Sequence, residues 1–149
     1  VKKLVNTREL VEVVKYDLGK RIKDTKAKIH VGDLPRLEGY EVELRLLFQN
    51  LISNAIKYTP KERNPEVRIS AYREGDFWTF TVVDNGVGIA KEDQDKIFTI
   101  FNRVKKHDSN DGTGVGLAHV EKIVHLHNGT IWVDSQEGVG STFYFKLQA

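Results

Sequence analysis

Two stretches, Val67 to Tyr72 and Phe77 to Asp84, alternate apolar and polar residues with a period of two, and Glu74-Gly75 lies between them. That pattern predicts two strands joined as a hairpin and buried on one face. Within the second strand, Trp78, Phe80 and Val82 share the face that must be buried, and Asp84 continues that face at the strand's end. A carboxylate pointing inward is costly unless it is paired or hydrogen-bonded. Gly86 and Gly88 follow, leaving no side chains between the carboxylate and whatever approaches it. Asp84, Asn85 and Gly86 also form a strong turn signal. A carboxylate that reads a base, accepting from an exocyclic amine, explains the inward direction better than a turn alone.

The rest of the chain builds around that hairpin. Asn6 to Glu9 reads as a helix start, with Asn6 as cap and Glu9 reaching back from the third helical position. Leu10, Val11, Val14 and Leu18 then recur at helical spacing, predicting a helix to about Asp24. Ala27 to Val31 is a short strand candidate, followed by a turn at Gly32 and Pro35. A long helix is predicted from about Glu41 to Tyr58, ended by Pro60. Residues from about Ala90 to Asp111 are polar and anchored only by Ile97, Phe98, Ile100 and Phe101. So long a connection is expected to be a functional loop, a lid that is mobile without ligand. A helix from Thr113 to His127 closes on Asn128-Gly129. Strands at Thr130 to Asp134 and Ser141 to Leu147 follow, joined through Gly138 and Gly140. Helices and antiparallel strands segregate along the chain. The expected class is therefore α+β: one domain with a mixed, mostly antiparallel sheet and helices packed on one face.

Composition narrows the function by exclusion. The net charge is +2, with Lys and Arg scattered rather than striped, which argues against nucleic acid as a partner. There are no cysteines, so no disulfide framework and no thiolate metal site; a reducing cytoplasm suits such a chain. Apolar runs such as Leu46, Leu47 and Phe48 are too short to cross a bilayer, and no signal peptide opens the chain. It begins at Val1 without an initiator Met and reads as a fragment of a larger protein.

Two further features carry chemistry. On the long helix, Leu44, Leu47, Phe48, Leu51 and Ala55 make the core stripe, and Asn50, Asn54 and Lys57 form a second stripe beside it, with Tyr58 bridging the two. Asn is a poor helix former, so two at i, i+4 beside a core need a reason beyond a solvated flank. Amide oxygens and an ammonium lining a cleft could hold a hydrated Mg²⁺ and a polyphosphate. Second, Gly112, Gly114 and Gly116 lead through Val115 to Leu117 at the start of the last helix. Exposed backbone N–H groups at a helix N-terminus suit an anion. The spacing is not that of a P-loop, and no strand precedes it as in the dinucleotide fingerprint.

Taken in order, these segments resemble the motifs of sensor histidine kinase ATP-binding catalytic domains. Asn50 to Tyr58 is similar to the N box, Asp84 to Gly88 to the G1 box, and Ile97 to Phe101 to the F box. Gly112 to Leu117 resembles the G2 box, and Glu137 to Phe143 the closing strand motif. The wider superfamily includes gyrase, chaperone and mismatch-repair ATPases, and the resemblance implies their two-layer, Bergerat-type ATP-binding fold. It further implies that Asn54, helped by Asn50, binds Mg²⁺, that Lys57 contacts phosphate, and that Tyr58 lies against the nucleotide. Asp84 would hydrogen-bond the adenine amino group, with Gly86, Gly88, Ile89 and Phe98 around the same pocket. Gly112, Gly114, Val115, Gly116 and Leu117 would cover the phosphates. Arg103 would reach them from the lid, ahead of the weaker candidates Lys105 and Lys106. Thr142 would stand near the adenine beside Asp84.

The hydrolytic members of the superfamily place a glutamate four residues before the Mg²⁺-binding asparagine, as general base for water. Here that position is Asn50, which cannot take a proton. The resemblance then implies phosphoryl transfer from ATP to a histidine, in two-component signal transduction, with a response regulator receiver domain downstream. None of the chain's histidines suits the acceptor. His107 sits in a polar loop, His30 in a strand, and His119, His125 and His127 on or at the end of the last helix, where a histidine complements the dipole. The acceptor is expected on a dimerisation domain upstream of Val1, in a homodimeric parent. The rival readings are a serine/threonine kinase of the anti-sigma-factor type and a non-catalytic nucleotide-binding regulator.

Overall fold

The structure is a computed structural model that describes residues 1–94, 96–98 and 113–149, except the side chains of residues 113–115. The expected α+β class is borne out. Five strands, β2 (Lys28–Val31), β4 (Glu66–Glu74), β5 (Phe77–Asp84), β7 (Gly140–Gln148) and β6 (Ile131–Gln136), lie side by side in that order. β2 runs parallel to β4, and every other pair is antiparallel. The predicted hairpin is β4 and β5, paired from Val67↔Asp84 to Glu74↔Phe77. Gly75, with φ of 60°, makes its turn, a conformation glycine adopts at little cost.

Helix α3 (Glu41–Lys57) crosses the inner face of this sheet. Its predicted core residues Leu44, Leu47, Phe48, Leu51 and Ala55 are all buried, and Ile52 and Ile56 widen the stripe. Phe48 meets the cross-strand pair Phe80 and Phe145 edge-on, at centroid distances of 5.8 and 5.7 Å, while those two rings stack at 5.0 Å. Burying Phe48 contributes about 2–3 kcal/mol, and each aromatic contact adds about 1 kcal/mol beyond the area removed from water. The last helix, α4 (Thr113–Leu126), packs beside α3 and buries Leu117, Val120, Ile123 and Val124.

Two expectations need correction. The helix predicted to reach Asp24 is two helices, α1 (Thr7–Asp17) and α2 (Gly19–Thr25), broken at Leu18. Asn6 caps α1 as expected, its Oδ1 accepting from the Glu9 amide at 3.2 Å. Leu18 leaves helical geometry where Gly19 follows, and glycine costs a helix interior about 1 kcal/mol. A second, two-stranded sheet also forms, pairing β1 (Lys3–Asn6) with β3 (Arg36–Gly39) around buried Val5 and Leu37.

His127, just beyond α4, has a structural role, as a neutral ring rather than as a cation complementing the dipole. Its Nε2 accepts from the Tyr40 amide at 3.0 Å, and Nδ1 lies 2.8 Å from the Ile123 carbonyl. A carbonyl only accepts, so Nδ1 carries the proton and the ring is neutral. Burial lowers its pKa below the usual 6.5, outweighing the Ile123 hydrogen bond. The ring thus ties the end of α4 to the start of α3. Among the described residues no helix is long and apolar enough to cross a membrane.

Candidate nucleotide site

Asp84 ends β5 on its inner face, as the alternation predicted. One carboxylate oxygen, Oδ1, accepts from the Gly86 amide at 2.9 Å and the Ser141 amide at 3.2 Å. Oδ2 takes no hydrogen bond among the described residues, which leaves it for a ligand. Burial raises the Asp84 pKa above its usual 3.8, and the two amide bonds only partly offset that cost. The site therefore holds a carboxylate that the described residues do not fully satisfy.

The glycines after it bring separate segments together. A Cβ on Gly86 would fall 2.9 Å from the Tyr58 carbonyl oxygen, and the Val87 amide donates to that same oxygen at 2.9 Å. The end of α3 is thereby fastened to the turn after β5. Gly88, at φ of 77°, lies so close to β6 that a Cβ would come within 2.3 Å of the Gln136 carbonyl oxygen. Ile89, partly buried against the core, donates its amide to Ser135 Oγ at 2.8 Å.

Along α3 the polar edge is where the helical period put it. Asn50 and Asn54 are half-buried and Lys57 is exposed, its Nζ 5.7 Å from the centre of the Tyr58 ring. The Asn54 amide nitrogen is buried and has no hydrogen-bond partner among the described residues. A buried amide left unmatched costs about 1–3 kcal/mol, and rotation of the side chain can offer either its donor or its acceptor end. Asn50 faces α4: a Cβ on Gly116 would sit 3.3 Å from Asn50 Oδ1. The first turn of α4, containing the backbone of Gly114, Val115 and Gly116, thus opens beside the asparagine edge. Its first N–H groups lack helical partners, as at any helix start. Leu117 is 4% exposed, so its side chain anchors the helix in the core. Phe98 is likewise an anchor, packed edge-on against Phe143 at 6.1 Å.

The reading of Thr142 is corrected. The register pairs Asp84 with Ser141, and Thr142 with Val83 on the opposite face of the sheet. Ser141 is buried beside Asp84, its hydroxyl 2.7 Å from Ser135 Oγ. The alternation of buried Phe143, Phe145 and Leu147 carried this information, because counting back by two puts residue 141 inward and 142 outward. Arg63 was also missed; it lies in a polar connection with no periodic signal. Arg103 and Gly112 lie outside the described residues, as do Ile100, Phe101, Lys105, Lys106 and His107. No cluster of three His, Asp or Glu side chains among the described residues could hold a metal by itself. A hard cation here would share amide oxygens with a ligand's phosphates, a coordination that suits Mg²⁺.

Comparison with known proteins agrees with this geometry. The chain is 40% identical over 142 residues to the phytochrome-like protein Cph1 of Synechocystis sp., covering 95% of this chain and 19% of that protein. It is 47% identical over 131 residues to cyanobacterial phytochrome A of Nostoc sp., covering 88% of this chain and 17% of that one. It therefore spans about a fifth of the length of these curated relatives. The fold superposes on the nucleotide-free catalytic domain of the histidine kinase ThkA with a TM-score of 0.83 at 25% identity, covering 99% of this chain and 95% of that one. Residues 39–149, which contain α3, Asp84 and α4, match the family of histidine kinase-, DNA gyrase B- and HSP90-like ATPases, and the chain belongs to that family.

Proposed function

We propose that this chain binds Mg²⁺-ATP and donates the γ-phosphate to a histidine on a separate dimerisation domain, as the catalytic domain of a two-component sensor histidine kinase. The observation that carries the reading is a pair of polar groups, on β5 and on the helix fastened to the turn after it, that the described residues leave unsatisfied. Among the described residues Asp84 keeps one carboxylate oxygen without a partner at the end of β5, and Asn54 holds an unmatched buried amide nitrogen on the neighbouring edge of α3. An adenine amine would satisfy the first. A phosphate oxygen would accept from the second as it stands, and the same amide turned over would present its oxygen to a hydrated cation carried by the triphosphate.

On this reading Asp84 accepts from the exocyclic amine and repels the carbonyl that guanine carries there. Ser141, through its amide, keeps the carboxylate in place. Asn54 and Asn50 would hold Mg²⁺, which supplies charge neutralisation for the phosphates when bound. Lys57 and the first-turn amides of α4 would contact the phosphates, and Tyr58 would border the nucleotide. Catalysis of this kind is positioning plus charge stabilisation. The acceptor imidazole nitrogen forms the new N–P bond as the bond from the γ-phosphorus to the bridging oxygen breaks, and ADP leaves. Asn50 offers no base to activate water, so transfer is favoured over hydrolysis. A receiver domain of a response regulator would take the phosphoryl group next, and the parent protein would be a homodimer.

Calorimetry with ATP and GTP, with and without Mg²⁺, tests the assignment. ATP should bind roughly ten- to a hundredfold more tightly than GTP, the cost of a mismatched buried polar contact. Asn54→Ala should weaken ATP binding and blunt its Mg²⁺ dependence. Equal affinity for the two nucleotides, or an Asn54→Ala protein that responds to Mg²⁺ like the parent, would overturn the reading.

A further inference from the structure

The connection between α3 and β4 carries a side chain that none of these roles uses. Arg63 Nη1 donates to the Asn85 carbonyl at 2.6 Å, and Nη2 donates to the Gly138 carbonyl at 3.1 Å. The Gly86 and Val139 carbonyls lie at 3.4 Å from Nη1. One guanidinium thus joins the turn after β5 to the turn between β6 and β7 through backbone oxygens alone. The same two segments hold Asp84, which accepts from the Gly86 and Ser141 amides. The coupling at Gly86 is direct. The carbonyl of Asn85 and the amide of Gly86 are two ends of one peptide group, gripped by Arg63 at one end and by Asp84 Oδ1 at the other. A cation on the carbonyl polarises that peptide and strengthens its N–H as a donor. Asn85 adds a second tie to the same connection, accepting from the Glu66 amide at 2.8 Å and donating to the Asn64 carbonyl at 3.0 Å.

We propose that Arg63 is a positioning residue for base recognition, holding the Asn85–Gly86 peptide and the 138–139 turn so that Asp84 presents its free oxygen to the adenine amine. The inference rests on the reading of Asp84 as the base acceptor. Arginine suits the task because its planar fork can address two separate segments at once, whereas a lysine places one point charge. Arg63 touches no reacting atom in this account and acts only through the peptide groups it fixes.

Calorimetry on the whole chain and on Arg63→Met and Arg63→Lys, with ATP and with GTP, tests it alongside thermal unfolding of each protein. Arg63→Met should bind ATP about tenfold more weakly, the scale of one lost charge-assisted contact, with GTP affinity little changed. Its preference for ATP should therefore fall by the same factor, and Arg63→Lys should lie between. A purely structural role would lower the melting temperature while leaving the preference intact, and that result overturns the proposal. Should Arg63→Met not fold, Arg63→Lys carries the same comparison. A wild-type chain with no preference for ATP sinks the Asp84 reading and this one with it. A wild-type preference retained in full by both variants sinks this one alone.

Discussion

Replacing Asp84 with asparagine should make the unliganded protein more stable and its ATP complex weaker. The amide keeps an oxygen in the position of Oδ1, so the Gly86 and Ser141 amides at 2.9 and 3.2 Å retain their acceptor. What disappears is the charge, whose burial raises the carboxyl pKa above 3.8. The sign follows from linkage. The unfolded chain loses this proton at about 3.8, the folded chain only at higher pH, so the folded state binds more protons across that window. Ionised Asp84 therefore costs stability as pH rises through the window, and the asparagine variant is spared that cost. The variant should melt higher at pH 7, by roughly 2–4 °C for each kcal/mol recovered in a domain of this size, and the gap should close as pH falls towards 3.8. ATP binding should move the other way. Losing a charged acceptor for the adenine amine costs about 1.5–3 kcal/mol, or roughly ten- to a hundredfold in affinity. Calorimetric melting from pH 4 to 8 and titration with ATP measure both arms on one pair of proteins. A variant that melts lower at pH 7, or that binds ATP as tightly as the parent, would rule out this role for Asp84.

Three other substitutions probe separate parts of the account. His127→Ala strands the Tyr40 amide and should cost about 1–3 kcal/mol in chemical denaturation. In the parent, the neutral ring's contribution is fully present above pH 6.5 and is lost as pH falls below it, so that slope should be missing from the variant. Gly86→Ala would drive a Cβ to 2.9 Å from the Tyr58 carbonyl, so it should weaken ATP binding more than tenfold by parting α3 from the turn, on the scale of about 2 kcal/mol for overpacking. Thr142→Val should leave ATP affinity unchanged, because that side chain stands on the face of Val83; a clear loss in titration would restore it to the pocket.

Much of this architecture was legible because it rests on short periods. Alternation from Phe77 to Asp84 placed the hairpin and aimed Asp84 inward, and the helical stripe from Leu44 to Ala55 fixed which edge of α3 carries Asn50 and Asn54. What escaped depends on contacts distant in sequence. β1 and β3 are four residues each and owe their pairing to Val5 meeting Leu37, which neither strand announces alone. The break at Leu18 hid because Leu18 keeps the apolar spacing, and only Gly19 hinted at it. Ser141 was recoverable from parity along β7, whereas the motif resemblance pointed to its neighbour Thr142. Arg63 gave no sign, since its partners are backbone oxygens more than twenty residues away.

Whether the chain is a histidine kinase catalytic domain is measured by phosphoryl transfer in trans. The chain is incubated with γ-labelled ATP and Mg²⁺, alone and with a separately prepared, histidine-bearing dimerisation domain of a sensor kinase. The chain alone should take up negligible label and hydrolyse little ATP. With the dimerisation domain present, label should appear on that domain, stable to alkali and lost in acid, at a rate reduced by the missing covalent linkage. Label on serine or threonine of the chain itself, or rapid turnover of ATP with no labelled acceptor, would contradict it.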